Sequence, residues 1–418
     1  MTNAFELSGA ASGFIEKLDE RNIKDPTAIQ KKIIPLLNEN KNVFFSSATG
    51  TGKTFAYLLP VLGKLLDDNG TDAKGGIRFL IIAPTLELST QIKDEIDFLL
   101  EGTSQTKPRT LNSALAIGSV KLDRQIEMLK KTRPCIIAGN LNRILVLARK
   151  GIINLNNLQF LVFDEADRLI SGEMLEETNE LCDLLKRKLK NQKPVIAACS
   201  ATLNKKCREK LFSVLGELSG PGETQFVESD DHEILREKIE HWAVFSEKRR
   251  RDQTLRSFLA AVKAKKSKIK VLVFTNRGDE AAMTLSRLAY HHVNAAGLFG
   301  KTGMKALSGE ERKAALDAFR KGSIEALVST DLAARGLDIP GITHVVSLDV
   351  PDDSDVYIHR CGRTARAGKK GVMVTIGDET QMRLLASLEK KLKIKIYPKE
   401  LHYGKICAPV MNEEEEDF

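Results

Sequence analysis

The stretch "SSATGTGKTF", residues 46–55, stands between an apolar run, "NVFF", and an amphipathic one, "FAYLLPVLGKLL". That succession reads as a strand, a loop and the start of a helix. Gly50 and Gly52 let the backbone turn tightly, and amide N–H groups at a helix N-terminus form a ready anion site. The backbone of Ser47, Ala48, Thr49, Gly50, Thr51 and Gly52 would then cradle phosphate. Lys53 would reach the outer phosphates, and the Thr54 hydroxyl would ligate magnesium. Ser47 takes the place of the first glycine in the GxxxxGK[ST] pattern, so the loop departs from its usual form at one position. A bare "GKT" is weakly specific, and the rest of the chain has to carry the reading.

The chain has 418 residues, enough for two or three domains with cores of their own, and its apolar content is that of a globular protein. The first residues lack a cationic stretch followed by an apolar core, and no run approaches eighteen uninterrupted apolar residues. A soluble, cytoplasmic protein is expected. Six cysteines are scattered without a CxxC spacing, which argues against a zinc cluster or a disulfide framework. Net charge is +8, and +13 without the five acids of "EEEED" near the end, a balance that suits a polyanionic partner. The densest basic runs, "EKRRR" (247–251) and "KAKKSKIK" (263–270), carry no interleaved aromatics, so each reads as a solvated surface rather than a base-stacking platform.

Short apolar runs alternate with amphipathic stretches along the chain. "NVFFSS", "RFLIIAPT", "SALAIGS", "CIIAGN", "QFLVFDEAD" and "PVIAACSAT" form one series. "EHWAVF", "KVLVFTN", "NAAGLFG", "EALVST", "THVVSLDV" and "GVMVTIGD" form a second. Such alternation predicts two α/β domains, each a mostly parallel sheet covered by helices. The Gly-, Pro- and acid-rich stretch 216–234 places the junction near residue 230. The expected division is 1–229, a linker at 230–236, 237–400, and an acidic, disordered tail at 401–418.

"QFLVFDEAD" (159–167) is an apolar run that delivers Asp164 and Glu165 at its C-terminal end, where ligands of open α/β sheets bind. Asp164 can hold the magnesium bound by Thr54, and Glu165 can position and deprotonate a water that attacks the γ-phosphate. Alone, a carboxylate pair at a strand end is an ordinary turn. Joined to the "GTGKT" loop in one alternating pattern, it reads as a nucleotide hydrolase.

With "DEAD" in place, the order of the remaining motifs resembles the DEAD-box RNA helicases over about residues 5 to 380. The resemblance implies two tandem RecA-like domains with ATP and Mg2+ in the cleft between them, and RNA across both. "DPTAIQ" (25–30) is similar to the Q motif, so Gln30 would read adenine, with Phe5 as its isolated upstream aromatic. "SATLN" (200–204) is similar to the motif that links hydrolysis to strand separation, which gives coupling roles to Ser200 and Thr202, with Asp167 and His359. "STDLAARGLDIPGITHVV" (329–346) and "YIHRCGRTARAG" (357–368) are the most specific stretches. They imply a ribose contact for Asp338 and γ-phosphate fingers for Arg363 and Arg366. From spacing alone, Arg360, Arg363 and Arg366 would lie along one helix face. RNA contacts implied by the resemblance are Pro84, Thr85, Arg143, Thr275, Arg312 and Thr330.

Several RNA-side motifs depart from the family pattern. Leu86 stands where PTRELA has arginine, "GNLNR" (139–143) keeps only Arg143 of the TPGR tetrad, and "MKALSGEER" (304–312) lacks the HGD triplet. Ile23 replaces the aromatic that usually stacks on adenine. The sequence therefore supports a monomeric ATP-dependent RNA helicase with an unusual RNA grip. An RNA-binding clamp or scaffold of weak ATPase stands as the alternative, and a DNA translocase is a distant third.

Overall fold

The computed structural model describes residues 4–47, 50–68, 76–101, 111–172, 174–190, 192–200, 203–219, 224–228, 237–265, 269–299, 309–334, 339–365 and 370–409. The chain divides after Asp230 into two compact units.

Unit 1 is built on β1 (Val43–Ser46), β2 (Phe79–Ala83), β3 (Ser113–Ala116), β4 (Ile136–Asn140), β5 (Phe160–Asp164), β6 (Val195–Ser200) and β7 (Gln225–Glu228). They form one parallel sheet in the order β3-β4-β2-β5-β6-β1-β7. Successive side chains of a strand point to opposite faces. Phe44, Leu80, Ile82, Ile137, Leu161 and Phe163 accordingly enter one core, and Val43, Phe45, Phe79, Ile81, Ala138 and Val162 the other. Helices Ala28–Asn38, Lys53–Asp67 and Leu86–Leu100 cover the second face, while Leu141–Arg149, Met174–Leu189 and Lys205–Leu215 cover the first. Both faces are buried, which is why these strands are continuous apolar runs rather than alternating ones.

Unit 2 repeats the plan with β8 (Ile239–Phe245), β9 (Val271–Thr275), β10 (Ala295–Leu298), β11 (Ala326–Thr330), β12 (His344–Ser347), β13 (Gly371–Gly377), β14 (Ile396–His402) and β15 (Lys405–Cys407). The order is β10-β11-β9-β12-β13-β8-β14-β15, parallel except for β15. Among the described residues no helix is long and apolar enough to cross a membrane.

Two stretches differ from the sequence reading. Residues 225–228, taken as part of the junction, form β7 at the sheet edge, paired with β1 from Val43↔Gln225 to Ser46↔Glu228. Lys32 Nζ donates to the Glu228 carbonyl at 3.0 Å, and Arg208 pairs with the Glu228 carboxylate. Residues 401–407, taken as disordered tail, complete a β14–β15 hairpin that continues the second sheet. Edge strands bury only part of one face, so neither shows the apolar run that marks a central strand. The predicted linker 230–236 and the acidic residues of 410–418 lie outside the described residues.

Candidate active site

The phosphate loop begins where β1 ends. The Ser47 amide donates to the Ser200 carbonyl at 3.1 Å, so the loop and the end of β6 share one ladder. Gly50 and Gly52 take φ of 83° and 88°, the left-handed region open to glycine. Lys53, the first residue of its helix, donates from Nζ to the Ser47 carbonyl at 2.5 Å, and the Ser47 and Thr51 hydroxyls are 2.5 Å apart. The loop is thus drawn round the Lys53 ammonium, which an entering phosphate would share. Ala48 and Thr49 lie outside the described residues.

Gln30 closes the loop from the other side. Thr27 caps helix Ala28–Asn38 in a reciprocal box, with Gln30 Oε1 accepting from the Thr27 amide at 2.9 Å. Gln30 Nε2 donates to the Gly52 carbonyl at 3.0 Å, and a Cβ on Gly52 would sit 2.4 Å from that nitrogen. A carboxamide has two N–H donors and two lone pairs, so one of each is left over from these bonds for a base edge. Phe5 is fully buried in the core that also takes Phe14 and Leu18. Asp338 lies outside the described residues.

Asp164 ends β5 almost completely buried, at 3% exposure. Its Oδ2 accepts from the Tyr57 hydroxyl at 2.9 Å. Its Oδ1 accepts from Cys199 Sγ at 3.0 Å and from the Glu165 amide at 2.9 Å. Burial, and next the charge of Asp164, push both the Tyr57 hydroxyl and the Cys199 thiol well above their ordinary pKa, so both remain neutral donors. Glu165 takes φ 49°, ψ 50°, a left-handed conformation that is costly for a side-chain-bearing residue and typical of functional positions. Asp167 is half-buried on the helix that follows, Ser200 is fully buried, and Thr202 lies outside the described residues. Among the described residues no three His, Cys, Asp or Glu side chains cluster as a metal cage. One carboxylate and one hydroxyl beside a phosphate loop fit Mg2+, which keeps waters and takes substrate phosphate oxygens as ligands. Sequence reasoning missed Tyr57 and Cys199. Their signals were position: Tyr57 lies one helical turn after Thr54, and Cys199 directly precedes the "SAT" triplet.

In unit 2, Arg360 lies on a helix and Arg363 lies beyond its end. Helix Ser354–Cys361 ends before Arg363, and Ala365 has φ 55°. Arg360 is buried and fully engaged: Nε and Nη2 donate to the Asp331 carboxylate at 2.7 and 2.6 Å. Nη1 bonds the Asp349 carbonyl at 2.6 Å, and Nη2 the Asn276 side chain at 2.7 Å. Arg360 is therefore a structural pin. Arg363, 5% exposed, donates from Nε to the His359 carbonyl at 3.3 Å and borders a cavity of about 520 Å³ with Trp242, His344 and Lys370. His359 is half-buried, and Arg366 lies outside the described residues.

The proposed RNA contacts fare unevenly. Pro84 is buried, and Thr85 caps helix Leu86–Leu100 by accepting from the Leu88 amide at 3.2 Å. Arg143 donates to the carbonyls of Val120 and Gly118 and to Gln125 Oε1, so it braces the 118–120 turn. Thr275 is fully buried, and its hydroxyl donates to the Arg277 carbonyl at 2.8 Å. Arg312 donates to the Ala333 carbonyl at 2.8 Å, and Thr330, half-buried, ends β11.

A parallel sheet with a phosphate loop on β1 and a carboxylate pair on β5, followed by a second sheet with an arginine-bearing turn, is the plan of a two-part nucleotide hydrolase. The profile described as DEAD/DEAH box helicase matches residues 27–210, and that of the helicase conserved C-terminal domain matches residues 250–368. The DEAD-box ATP-dependent RNA helicase CshC of Bacillus cereus is 32% identical over 386 residues, covering 92% of this chain and 90% of its own. The probable ATP-dependent RNA helicase YfmL of Bacillus subtilis is 30% identical over 397 residues, covering 95% and 96%. Mss116p, solved bound to ssRNA and AMP-PNP, superposes with a TM-score of 0.82 at 24% identity, covering 96% of this chain and 79% of its own, a likeness of fold. The chain belongs to the DEAD-box ATP-dependent RNA helicase family.

Proposed function

We propose that the protein hydrolyses ATP held by the phosphate loop of unit 1, with Arg363 of unit 2 supplied to the same γ-phosphate. Nucleotide state would then control its grip on single-stranded RNA, opening short duplexes locally or remodelling RNA–protein complexes. The observation that carries the reading is the Asp164 constellation, a buried carboxylate fixed by three donors beside the left-handed Glu165 and the Lys53 loop. Lys53 neutralises the outer phosphates, Gln30 reads the base edge, and Glu165 takes the proton of the attacking water. Thr54 and Asp164 would hold Mg2+, which supplies charge neutralisation to the phosphates. Arg363 stabilises the charge that develops on the transferred phosphoryl group.

RNA as the partner is supported by the names of the relatives and by the solved neighbours, Mss116p with ssRNA and S. cerevisiae Dbp5 with RNA and ADP BeF3. The self-contacts of Arg143 and Thr275 favour a modified grip, and so keep an RNA-binding clamp or scaffold with weak ATPase and no strand separation as the second reading. The deciding experiment measures ATPase with and without single-stranded RNA beside unwinding of a short duplex. Stimulated hydrolysis with strand separation supports the first reading. Weak hydrolysis without separation supports the second, and vigorous hydrolysis indifferent to RNA overturns both.

A further inference from the structure

The cavity bordered by Arg363 in unit 2 takes no part in the chemistry above. It lies at the N-terminal ends of β12, β13 and β8, where His344, Val372 and Glu240 stand in register as one row across three strands. Helix Arg251–Lys265 covers the same face of the sheet farther along and stops at the cavity, to which its last turn contributes Val262 and Lys265. The turn that carries Arg363 is fixed at the rim. The Thr364 hydroxyl donates to the Ile342 carbonyl at 2.7 Å, and a Cβ on Gly371 would lie 2.3 Å from that hydroxyl, so only glycine lets the start of β13 come so near.

The lining joins one aromatic surface to an excess of positive charge. The Trp242 indole is half-buried, its Nε1 donates to Glu240 Oε2 at 3.2 Å, and its centroid lies 6.3 Å from that of the His344 ring. Among the described residues of the lining, Lys265, Lys370 and Arg363 stand against one acid, Glu240. Neither Lys265 nor Lys370 has an ion-pair partner among the described residues. A volume of about 520 Å³, with apolar walls and a few convergent polar groups, is that of a small-molecule site.

We propose that this cavity is an effector site for a planar aromatic ring bearing one anionic group, phosphate or carboxylate. The ring packs against Trp242 and Val372, and the anion bridges Lys370 and Arg363. A guanidinium forks onto either kind of anion, whereas a neutral ring gains nothing from the charge of the lining. The row from His344 to Glu240 spans two strand spacings, about 10 Å, which is room for one ring and one acidic group. Occupancy holds Arg363 away from the γ-phosphate and slows hydrolysis, a consequence that rests on the reading of Arg363 as the residue supplied to that phosphate.

Trp242 is the one tryptophan of the chain, so its emission reports from the cavity wall. Titrating the full chain with AMP and with phenylacetate separates a nucleotide ligand from an aromatic acid, and adenosine and phenylacetamide serve as their neutral counterparts. At least one anion should change the emission saturably below about 1 mM, with its neutral counterpart about tenfold weaker. Lys370→Glu should weaken that anion about tenfold at unchanged Tm, and Lys370→Arg should retain it. RNA-stimulated hydrolysis should slow as the site fills, and Lys370→Glu should escape the slowing at the same ligand concentration. The site is overturned by the lack of a saturable change with either anion, by equal binding of the neutral counterpart, or by wild-type affinity in Lys370→Glu. Saturable binding with unchanged hydrolysis overturns its hold on Arg363. Wild-type hydrolysis by Arg363→Ala overturns instead the reading beneath it, and leaves the fluorescence result standing.

Discussion

The Gln30 side chain donates to the Gly52 carbonyl at 3.0 Å and accepts from the Thr27 amide at 2.9 Å, so one residue ties helix Ala28–Asn38 to the phosphate loop. Gln30→Ala should therefore raise the KM for ATP and also erase the preference for ATP over GTP. Side-by-side kinetics on both nucleotides check it, and an unchanged preference would leave Gln30 only its structural bonds.

Glu165→Gln should abolish turnover and preserve nucleotide affinity, because the amide keeps the shape and loses the base. Lys53→Ala should weaken nucleotide binding itself. Fluorescent-nucleotide titration beside steady-state hydrolysis separates the two, and near-normal turnover in Glu165→Gln would remove it as the base.

Tyr57→Phe and Cys199→Ala each take one donor from Asp164, leaving the fold and the carboxylate in place. Removing a donor that holds a metal-binding carboxylate in place costs roughly 10–100-fold in metal affinity. A Mg2+ titration of nucleotide binding should shift to higher concentration in both variants, whereas unaltered Mg2+ curves would make the two bonds incidental.

Arg360 and Arg363, three residues apart, should fail in different ways. Arg360→Ala strips the partner from Asp331 and should destabilise unit 2 by about 3–5 kcal/mol, visible as a lowered melting transition. Arg363→Ala should leave melting alone and slow RNA-stimulated hydrolysis by roughly three orders of magnitude, as loss of an arginine finger does elsewhere.

Alkaline pH should destabilise both units. Burial pushes Cys182 up to about 12 and holds Cys361 and Tyr357 far above their usual ranges. Their unfolded forms release protons from about pH 8.5 for thiols and pH 10 for tyrosine, while the folded forms keep them. Stability from these groups is complete below those values and falls as pH rises toward the folded pKa, by about 1.4 kcal/mol per pH unit for each group. Cys182→Ala should flatten the alkaline limb of a denaturant-midpoint profile.

Much of this was legible in the residues. Strands buried on both faces announce themselves as apolar runs, and the Walker loop and DEAD carboxylates stand at their ends because ligand sites of parallel sheets do. What escaped notice was tertiary. The buried state of Phe5, the inward turn of Thr275 and the engagement of Arg360 depend on neighbours far along the chain, and motif spacing is silent about them. The hairpin was hidden because its alternation is half-buried and rich in lysine, a pattern shared with solvated tails.

The edge strand β7 has a mechanical consequence. The chain leaves unit 1 just beyond Glu228, so a pull on that connection directed along β7 loads its row of hydrogen bonds to β1 in shear, all together rather than one at a time. Lys32 and Arg208 grip the same residue from two helices and act as rivets at the point of attachment. Tension applied there arrives at β1, and the last residue of β1, Ser46, is where the phosphate loop is hung.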